Sequence, residues 1–332
     1  IKGSLKKLVN RSRQLTRDVD YCKNAIRAIT DNVVGTGVRL QAQVRQQRGG
    51  KLNQRVNENI ERAWADWGKA SSCDVAGKLC WNDICRSAVS NWAESGEVFI
   101  RIIRGQKFGK SSIPFALQLL ESDMIDIDYE GKAEKKGWTW KMGVLLDDWG
   151  RPQKYALLTR HPGDTLFVNQ PTTGKKHIFV NADSIIHLAK FDRPGQTRGV
   201  PWMSSAIQRM HHLEGYESAE LISKRVSSAQ MAWIQTPEGE LEGDDIEDND
   251  RVYDMSPGKI SYLSAGESVH VPSLNSSSGE FEPFLAAMLR ALAAGIGCSY
   301  ETISRDYSKT NYSSSRLSLL QDQEAFKALQ YQ

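Results

Sequence analysis

The sequence contains no hydrophobic run long enough to cross a membrane. A spanning helix needs roughly 18–20 consecutive apolar residues, and polar or charged side chains interrupt every apolar stretch of this chain before that length. We therefore predict a soluble chain without a membrane partner. The first residue is Ile1 rather than Met, which predicts a fragment of a longer protein.

Cysteine is scarce and scattered. Three of the five cysteines, Cys73, Cys80 and Cys85, are close in sequence, but their spacing fits no zinc knuckle and no histidine lies nearby. An odd number of cysteines without a dense framework is typical of a reducing compartment. We predict buried free thiols.

Basic and acidic residues are nearly balanced in number. The formal net charge is +3, which alone does not indicate a nucleic-acid-binding protein. Its distribution is uneven, because residues 1–55 are rich in Lys and Arg whereas 238–250 (EGELEGDDIEDND) is almost entirely acidic residues and Gly. This predicts two surfaces with different surroundings, although a solvated tail and a solvated loop explain the pattern equally well.

Catalytic motifs are missing as well. There is no HExxH, GxxxxGK[ST] or GxSxG, and the six histidines form no ligand pair. Asp123, Asp126 and Asp128 offer carboxylates of the kind a Mg²⁺-dependent nuclease needs. However, Asp126 and Asp128 share one face of a strand-like segment, which is a common exposed pattern. We predict no catalytic residue, metal or cofactor, with a metal-dependent nuclease or a DNA-binding adaptor as the alternative.

The first part of the chain has the pattern of an α+β domain. Helical spacing predicts helices from Thr16, as N-cap, to Gly35, at about 54–70 and at 81–95. Alternating residues predict strands at 38–44 and 97–104, followed by short β-prone runs up to about residue 190. One of these, DDWGRPQKY, predicts a hairpin with Gly150 and Pro152 in the turn.

The second part is dominated by helices. A long helical pattern at 202–233 is followed by the acidic stretch, a small alternating segment (SYLSAGESVHVPS) and a second helix at 281–297. Another helix begins near residue 316. The helices at 202–233 and 281–297 thus flank a small module, and we predict that they form a stalk with this module at its tip.

The stretch SYETISRDYSKTNYSSSR at 299–316 lies between the last two helices. Most of its side chains carry a hydroxyl, and Arg305, Lys309 and Arg316 are spaced through it. This composition fits a flexible linker, a phosphate-binding loop, a nucleophilic serine or a loop that faces nucleic acid. The residues alone do not choose among these.

Several stretches resemble the lambda-type family of tailed-phage portal proteins. They are IIHLAKFDRPGQTRGVPW, GKISYLSAGESVHVPS and, as the strongest, FEPFLAAMLRALAAGIGCSYETISRDYSKTNYSSSR; the first half agrees in RDVDYCKNAIRAITDNVVGTGVRL and NWAESGEVFIR. The resemblance covers nearly the whole chain. The chain differs in ending short of the family's usual C-terminus and in a shorter, more acidic segment at 235–255.

The resemblance implies a portal fold: an α+β wing, a helical stem, a small β-containing clip and a long wing helix, in a closed ring of typically twelve subunits. Such a ring occupies one capsid vertex of the virion after assembly in the host cytoplasm. It conducts double-stranded DNA during packaging and ejection. Its implied partners are the terminase large subunit, the head–tail connector, and capsid and scaffold proteins. The implied segments are wing 1–195, stem helix 196–235, clip 236–275, returning stem helix 276–298, tunnel loop 299–315 and the start of the wing helix at 316–332, with the crown absent.

The resemblance also places candidate sites. The tunnel loop would line the channel with groups that contact phosphates without reading bases: Arg305, Lys309, Asn311, Ser313, Ser314 and Arg316. Acidic residues of the clip would repel the duplex and prevent sticking: Glu242, Asp244, Asp245, Glu247 and Asp248. Arg193 and Arg198 are expected to form salt bridges between subunits.

Overall fold

A computed structural model describes residues 1–47, 49–105, 108, 113–163, 175–228, 233–235, 268–270 and 281–331. They form two units, one of residues 1–211 with 286–332 and one of residues 212–285. Most of the predicted clip, including its five acidic candidates, lies outside the described residues. Among the helices described here, none combines the length and the apolar character needed to cross a membrane.

The N-terminal region consists of two helices, α1 (Lys2–Asp18) and α2 (Asp20–Val34), rather than the single helix predicted from Thr16. Val19 has an extended backbone and separates the two helices. The Thr16 hydroxyl donates to the carbonyl of Ser12 in the last turn of α1, at 3.0 Å, and caps no helix. The prediction of an N-cap at Thr16 is therefore wrong.

The strand predicted at 38–44 does not form, although its backbone is not helical. The backbone N–H of Ala42 donates to Glu61 and that of Val44 donates to Asn57, both on the helix α3 (Gln54–Trp67). Side chains of a helix thus take the hydrogen bonds that a neighbouring strand would have supplied.

Two helices follow α3 in the chain, α4 (Ala70–Cys73) and α5 (Trp81–Ser95), and an aromatic cluster joins α3 to α5 and to Phe115. Trp67 lies 4.9 Å from Trp64, 5.7 Å from Trp81 and 5.3 Å from Phe115, measured between ring centroids. Gly96 ends α5 in the left-handed conformation, which glycine adopts without strain.

Two antiparallel sheets follow. The first has the order β2-β1-β7, with β1 (Glu97–Arg104), β2 (Phe115–Leu120) and β7 (Ile185–Ala189). The second has the order β3-β4-β5-β6, with β3 (Thr139–Lys141), β4 (Val144–Leu146), β5 (Pro152–Leu158) and β6 (His177–Asn181). Phe99 of the first sheet and Tyr155 of the second belong to one buried cluster. A single 3₁₀ turn at Ala182–Ser184 carries the chain from one sheet to the other.

The second part of the chain is helical, as predicted. A 3₁₀ turn at Trp202–Ser205 precedes α6 (Ile207–Ser228), so this helix is about 33 Å long, shorter than the predicted 202–233. Strands β8 (Trp233–Gln235) and β9 (Ser268–His270) pair with each other. Helices α7 (Phe281–Ile296), α8 (Tyr300–Ser304) and α9 (Tyr312–Gln330) complete the described chain.

Two of the five cysteines have fully buried thiols. Cys22 and Cys73 are fully buried and unbonded to each other or to any other cysteine. Burial raises the pKa of Cys22 to about 12 and that of Cys73 to about 11, so both remain protonated near neutral pH. All five cysteines are free, but the prediction of a buried thiol is confirmed for Cys73 and is wrong for Cys80 and Cys85, which are only partly buried.

Candidate functional site

The hydroxyl-rich stretch is mostly helical, which corrects the prediction of a continuous loop at 299–315. Residues 305–311 form the non-helical connection between α8 and α9, and we call them loop 305–311. Asn311 caps α9 by accepting the backbone N–H of Ser314 at 2.9 Å, while the Ser314 hydroxyl accepts the N–H of Asn311. Ser313, Ser314 and Arg316 therefore lie in the first turns of a helix, because hydroxyls and amides are good N-terminal caps.

Loop 305–311 is held by its own side chains. The carboxylate of Asp306 accepts the N–H of Ser308 at 2.9 Å, and the Thr310 hydroxyl donates to the carbonyl of Tyr307 at 2.9 Å. The hydrogen bonds from Ser308 lower the pKa of Asp306, with a smaller contribution from the positive charge of Lys309. These contacts describe an ordered turn and disfavour the flexible-linker hypothesis.

Arg305 begins the loop in an unusual backbone conformation. It caps the C-terminus of α8 with φ +59°, in the left-handed region, and its N–H donates to the carbonyl of Glu301 at 3.0 Å. Glycine is favoured at such a position because a side chain there costs about 1–2 kcal/mol. The Arg305 side chain is exposed, and its Nε lies 3.4 Å from the amide oxygen of Asn24.

Exposed aromatic residues accompany the basic ones. Tyr307 and Tyr312 have 55% and 79% of their surface exposed, and they alternate with the exposed Arg305, Lys309 and Arg316. These tyrosines were not among the predicted channel residues, although their alternation with basic residues is visible in RDYSKTNYSSSR. Together the side chains present cations, hydroxyls and phenols on one short segment, a combination that can contact phosphate and sugar without reading bases.

Arg198 does not lie at a surface, and the expectation of an intersubunit salt bridge for it is corrected. Its side chain is 2% exposed and its Nε donates to the Glu97 carboxylate at 2.6 Å. Its other donors reach the carbonyls of Ser122 at 2.8 Å and Met142 at 2.9 Å. The guanidinium is thus paired and hydrogen-bonded inside its own chain. Arg193 is exposed, and its intersubunit role stays a prediction.

Glu97 is the centre of this buried network. Besides Arg198, it accepts the backbone N–H of Gly199 at 2.8 Å and lies 2.9 Å from Nε2 of His187. Burial alone raises the pKa of Glu97, but the charge of Arg198 and the contact with His187 outweigh burial and hold the pKa below its usual value. The network fastens the segment before α6 to the start of β1, and no local pattern in the sequence indicated it.

Each aspartate of the ESDMIDID segment contacts a different basic side chain. Asp123 pairs with Arg13, Asp128 pairs with Lys6, and Asp126 lies 2.7 Å from Nε2 of His177. Burial raises the pKa of Asp126, but the contacts with His177 and the Asp128 N–H reverse this effect and lower it. Each carboxylate is matched by a basic side chain, so the described residues leave little unbalanced negative charge for a pair of Mg²⁺ ions.

One group of possible metal ligands, Glu121, Asp123 and His161, does come together, with ligand atoms within 4.8 Å of one another. Arg13 already pairs with Asp123 and, at 3.0 Å, with Glu121. Nδ1 of His161 accepts the backbone N–H of Gly163 at 3.0 Å, which places the proton of the neutral ring on Nε2, the atom that faces Glu121. The guanidinium of Arg13 and the Nε2 proton of His161 thus already contact the atoms that would have to bind a metal.

Comparisons with known proteins agree with one another. The model of the family described as "Phage portal protein, lambda family" matches residues 1–330. The probable portal protein of Halomonas phage phiHAP-1 is 27% identical over 97% of this chain, and portal protein B of Escherichia phage lambda is 24% identical over 93%. The chain spans 62% of the length of each of these relatives.

A solved structure supports the same fold. The neck of a native gene transfer agent particle, computed with C12 symmetry, matches 92% of this chain and 73% of the solved chain with a TM-score of 0.54. At 13% identity the likeness concerns the fold alone.

Proposed function

The chain belongs to the lambda family of phage portal proteins, and we propose that it forms a closed ring at one capsid vertex through which double-stranded DNA enters and leaves the particle. The ring has about twelve copies, as in the C12 neck of the gene transfer agent. Its location is the virion, after assembly in the host cytoplasm. Its partners are the terminase large subunit during packaging, the head–tail connector afterwards, and capsid and scaffold proteins.

Loop 305–311 with the first turn of α9 is the observation that carries the DNA-conduit proposal. DNA must slide through a portal, so its contacts have to be weak, repeated and independent of base sequence. The exposed cations and hydroxyls of this segment have that chemistry, and the ordered turn holds them in one arrangement. Repeated around a ring, Arg305, Lys309 and Arg316 would make rings of positive charge facing phosphates.

The remaining segments take family roles in this proposal. Residues 1–195 form the wing, α6 and α7 are the two stem helices, and α9 begins the long wing helix. The acids of 236–275, from Glu242 to Asp248, lie outside the described residues; we propose that they rim the channel and repel DNA. The exposed leucines Leu317 and Leu320 of α9 suit contacts between neighbouring subunits, which a head-to-tail ring repeats at every interface.

We propose no catalytic activity and no cofactor for the chain. Packaging would then depend on an external ATPase, and the protein would provide the path. The nuclease alternative draws no support from the described carboxylates, since Asp123, Asp126 and Asp128 each have a basic partner.

Two measurements test the proposal. Native mass spectrometry of the full-length protein should give a closed ring near twelve subunits, and a persistent monomer or dimer would refute the ring. For the conduit, a photoreactive amino acid in place of Ser308, an exposed loop residue, should crosslink to DNA in filled particles. The matched control replaces Trp149, which is 87% exposed in the turn between β4 and β5. Equal crosslinking at both positions would contradict a channel role for the loop.

A further inference from the structure

Helix α8 is too short to be stable by itself. It has five residues, and a helix leaves its first four N–H groups and its last four C=O groups without partners inside the helix. Isolated helices of this length do not persist in water. The groups that satisfy its two ends therefore decide where α8 lies and where loop 305–311 begins.

The N-terminal end of α8 is held by a buried carboxylate on α9. Asp322 is 6% exposed, and its Oδ1 accepts the backbone N–H of Ser299 at 2.8 Å. Its Oδ2 accepts the hydroxyls of Ser299 at 2.7 Å and of Thr302 at 2.6 Å. The hydrogen bonds are charge-assisted, and a negative charge beside a helix N-terminus is favourable.

The C-terminal end of α8 is held by an amide on α2. The Asn24 Nδ2 donates to the carbonyls of Thr302 at 3.1 Å and Ile303 at 2.7 Å. The Ile303 side chain is buried. Helix α8 is thus fixed to α9 at one end and to α2 at the other, by side chains from parts of the chain that are far apart in sequence.

Both ends of loop 305–311 consequently depend on α9. One end joins α9 directly at its cap residue, Asn311. The other follows α8, which is tied to Asp322, about 16 Å further along the same helix at ~1.5 Å per residue. The Asp322 carboxylate therefore holds the α8 end of the loop against α9.

We infer that Asp322 is the positioning residue of loop 305–311, a latch that holds α8 on α9 and so fixes where the loop cations stand. The latch consists of Asp322, Ser299 and Thr302. Its consequence for DNA rests on the function proposed above, whereas its existence does not. When the latch is weakened, α8 loosens from α9 and the loop moves, while Asn24 still holds the other end of α8 and the wing sheets are unaffected.

Hydrogen–deuterium exchange of the full-length protein tests the latch without DNA. In Asp322→Asn the amides of residues 302–308 should exchange at least ~10-fold faster, since a buried hydrogen bond to a charged group is lost, while those of β1 should be unchanged. The matched control, Glu324→Gln, alters an exposed carboxylate on the same helix and should change neither. Unchanged exchange at 302–308, or equal acceleration in β1, would overturn the inference.

A second variant keeps the test valid if Asp322→Asn does not fold. Thr302→Val removes the hydroxyl that donates to Oδ2 of Asp322 at 2.6 Å and should likewise accelerate exchange within 302–308 only. Unchanged exchange at 302–308 would also overturn the inference.

DNA crosslinking from position 308 separates the latch from the conduit. In Asp322→Asn rings of normal mass, the crosslinking yield should fall severalfold. If the parent protein gives no crosslink, the conduit proposal fails and the exchange result still decides the latch. If the parent crosslinks and Asp322→Asn crosslinks equally, the latch does not position the loop.

Discussion

Replacing Arg305 tests whether an arginine at this position lowers the stability of the fold while serving DNA contact. It adopts φ +59° at the end of α8, where a residue with a Cβ atom costs about 1–2 kcal/mol and Gly does not. Arg305→Gly removes that strain and retains the N–H donor to Glu301. It also removes the charge and the long 3.4 Å contact with Asn24, which is worth little at an exposed site.

The expected stability can be ordered across two variants. Gly gives the unfolded chain extra freedom, which lowers stability by about 0.4–1 kcal/mol and cancels part of the relieved strain. Arg305→Ala loses the same charge but keeps the left-handed strain. We therefore expect the Gly variant to be more stable than the Ala variant by about 0.5–1 kcal/mol, and to be at least as stable as the parent, because the parent carries the same strain and the lost contact is worth little.

The assay is urea unfolding followed by tryptophan fluorescence, at one fixed protein concentration because the ring couples stability to concentration. DNA contact is measured in parallel by crosslinking from position 308. Both variants should lose crosslinking alike, and Arg305→Lys should retain most of it. An Ala variant more stable than the Gly variant would refute the strain argument. Full crosslinking in both would refute the role of Arg305 at the DNA.

The remaining predictions concern the buried network and the chain fastened by it. Arg198→Met leaves the Glu97 carboxylate buried without its cation and should lower the free energy of unfolding, measured in urea, by about 3–5 kcal/mol. The double variant Arg198→Met with Glu97→Gln should recover part of this loss. If nothing is recovered, the unpaired carboxylate is not the cause of the loss. Because the pKa of Glu97 is lowered on folding, its ionisation contributes stability above the unfolded-state value of 4.5, and this contribution is lost as the pH falls through the lower folded pKa. The melting-temperature difference between the parent and Glu97→Gln should therefore be constant near neutral pH and shrink below about pH 4.5; a difference that grows on acidification would reverse the assigned direction. Gly199→Ala would place a Cβ 2.1 Å from the carbonyl oxygen of Gly96 and should lower the free energy of unfolding by about 1–3 kcal/mol or more. The control Gly3→Ala, with open space around it in α1, should raise the free energy of unfolding by up to ~1 kcal/mol. Equal effects of the two alanines would contradict the close approach of Gly199 to Gly96.

Elements with strong local signals were predicted well. The bounds of α5 and β1, at 81–95 and 97–104, agree with the structure, because Gly96 separates a helical from an alternating pattern. The helix predicted at 281–297 ends one residue earlier, at Ile296. The family was also recognisable from its motif at 299–316, and the family match confirms it.

Predictions failed where the partners of a segment come from elsewhere in the chain. Residues 38–44 have the alternation of a strand, but Asn57 and Glu61 of α3 take their hydrogen bonds. The serines at 313–315 have the composition of a loop, but Asn311 supplies a cap that starts α9 at Tyr312. Thr16 has the chemistry of a cap, but the extended Val19 places the helix break after it.

The sequence by itself determined the α+β and helical parts, the family and the chemistry of the loop segment, since those depend on residues near one another in the chain. Only the tertiary structure decided that Arg198 is an internal ion-pair partner of Glu97, 101 residues away, and that Asp322 and Asn24 hold α8 from opposite ends. Neither Arg198 nor Asp322 differs locally from a surface charge. Whether such a group is solvated or buried depends on which distant donors and acceptors the fold brings within hydrogen-bonding distance, because a buried charge is stable only when those partners are present.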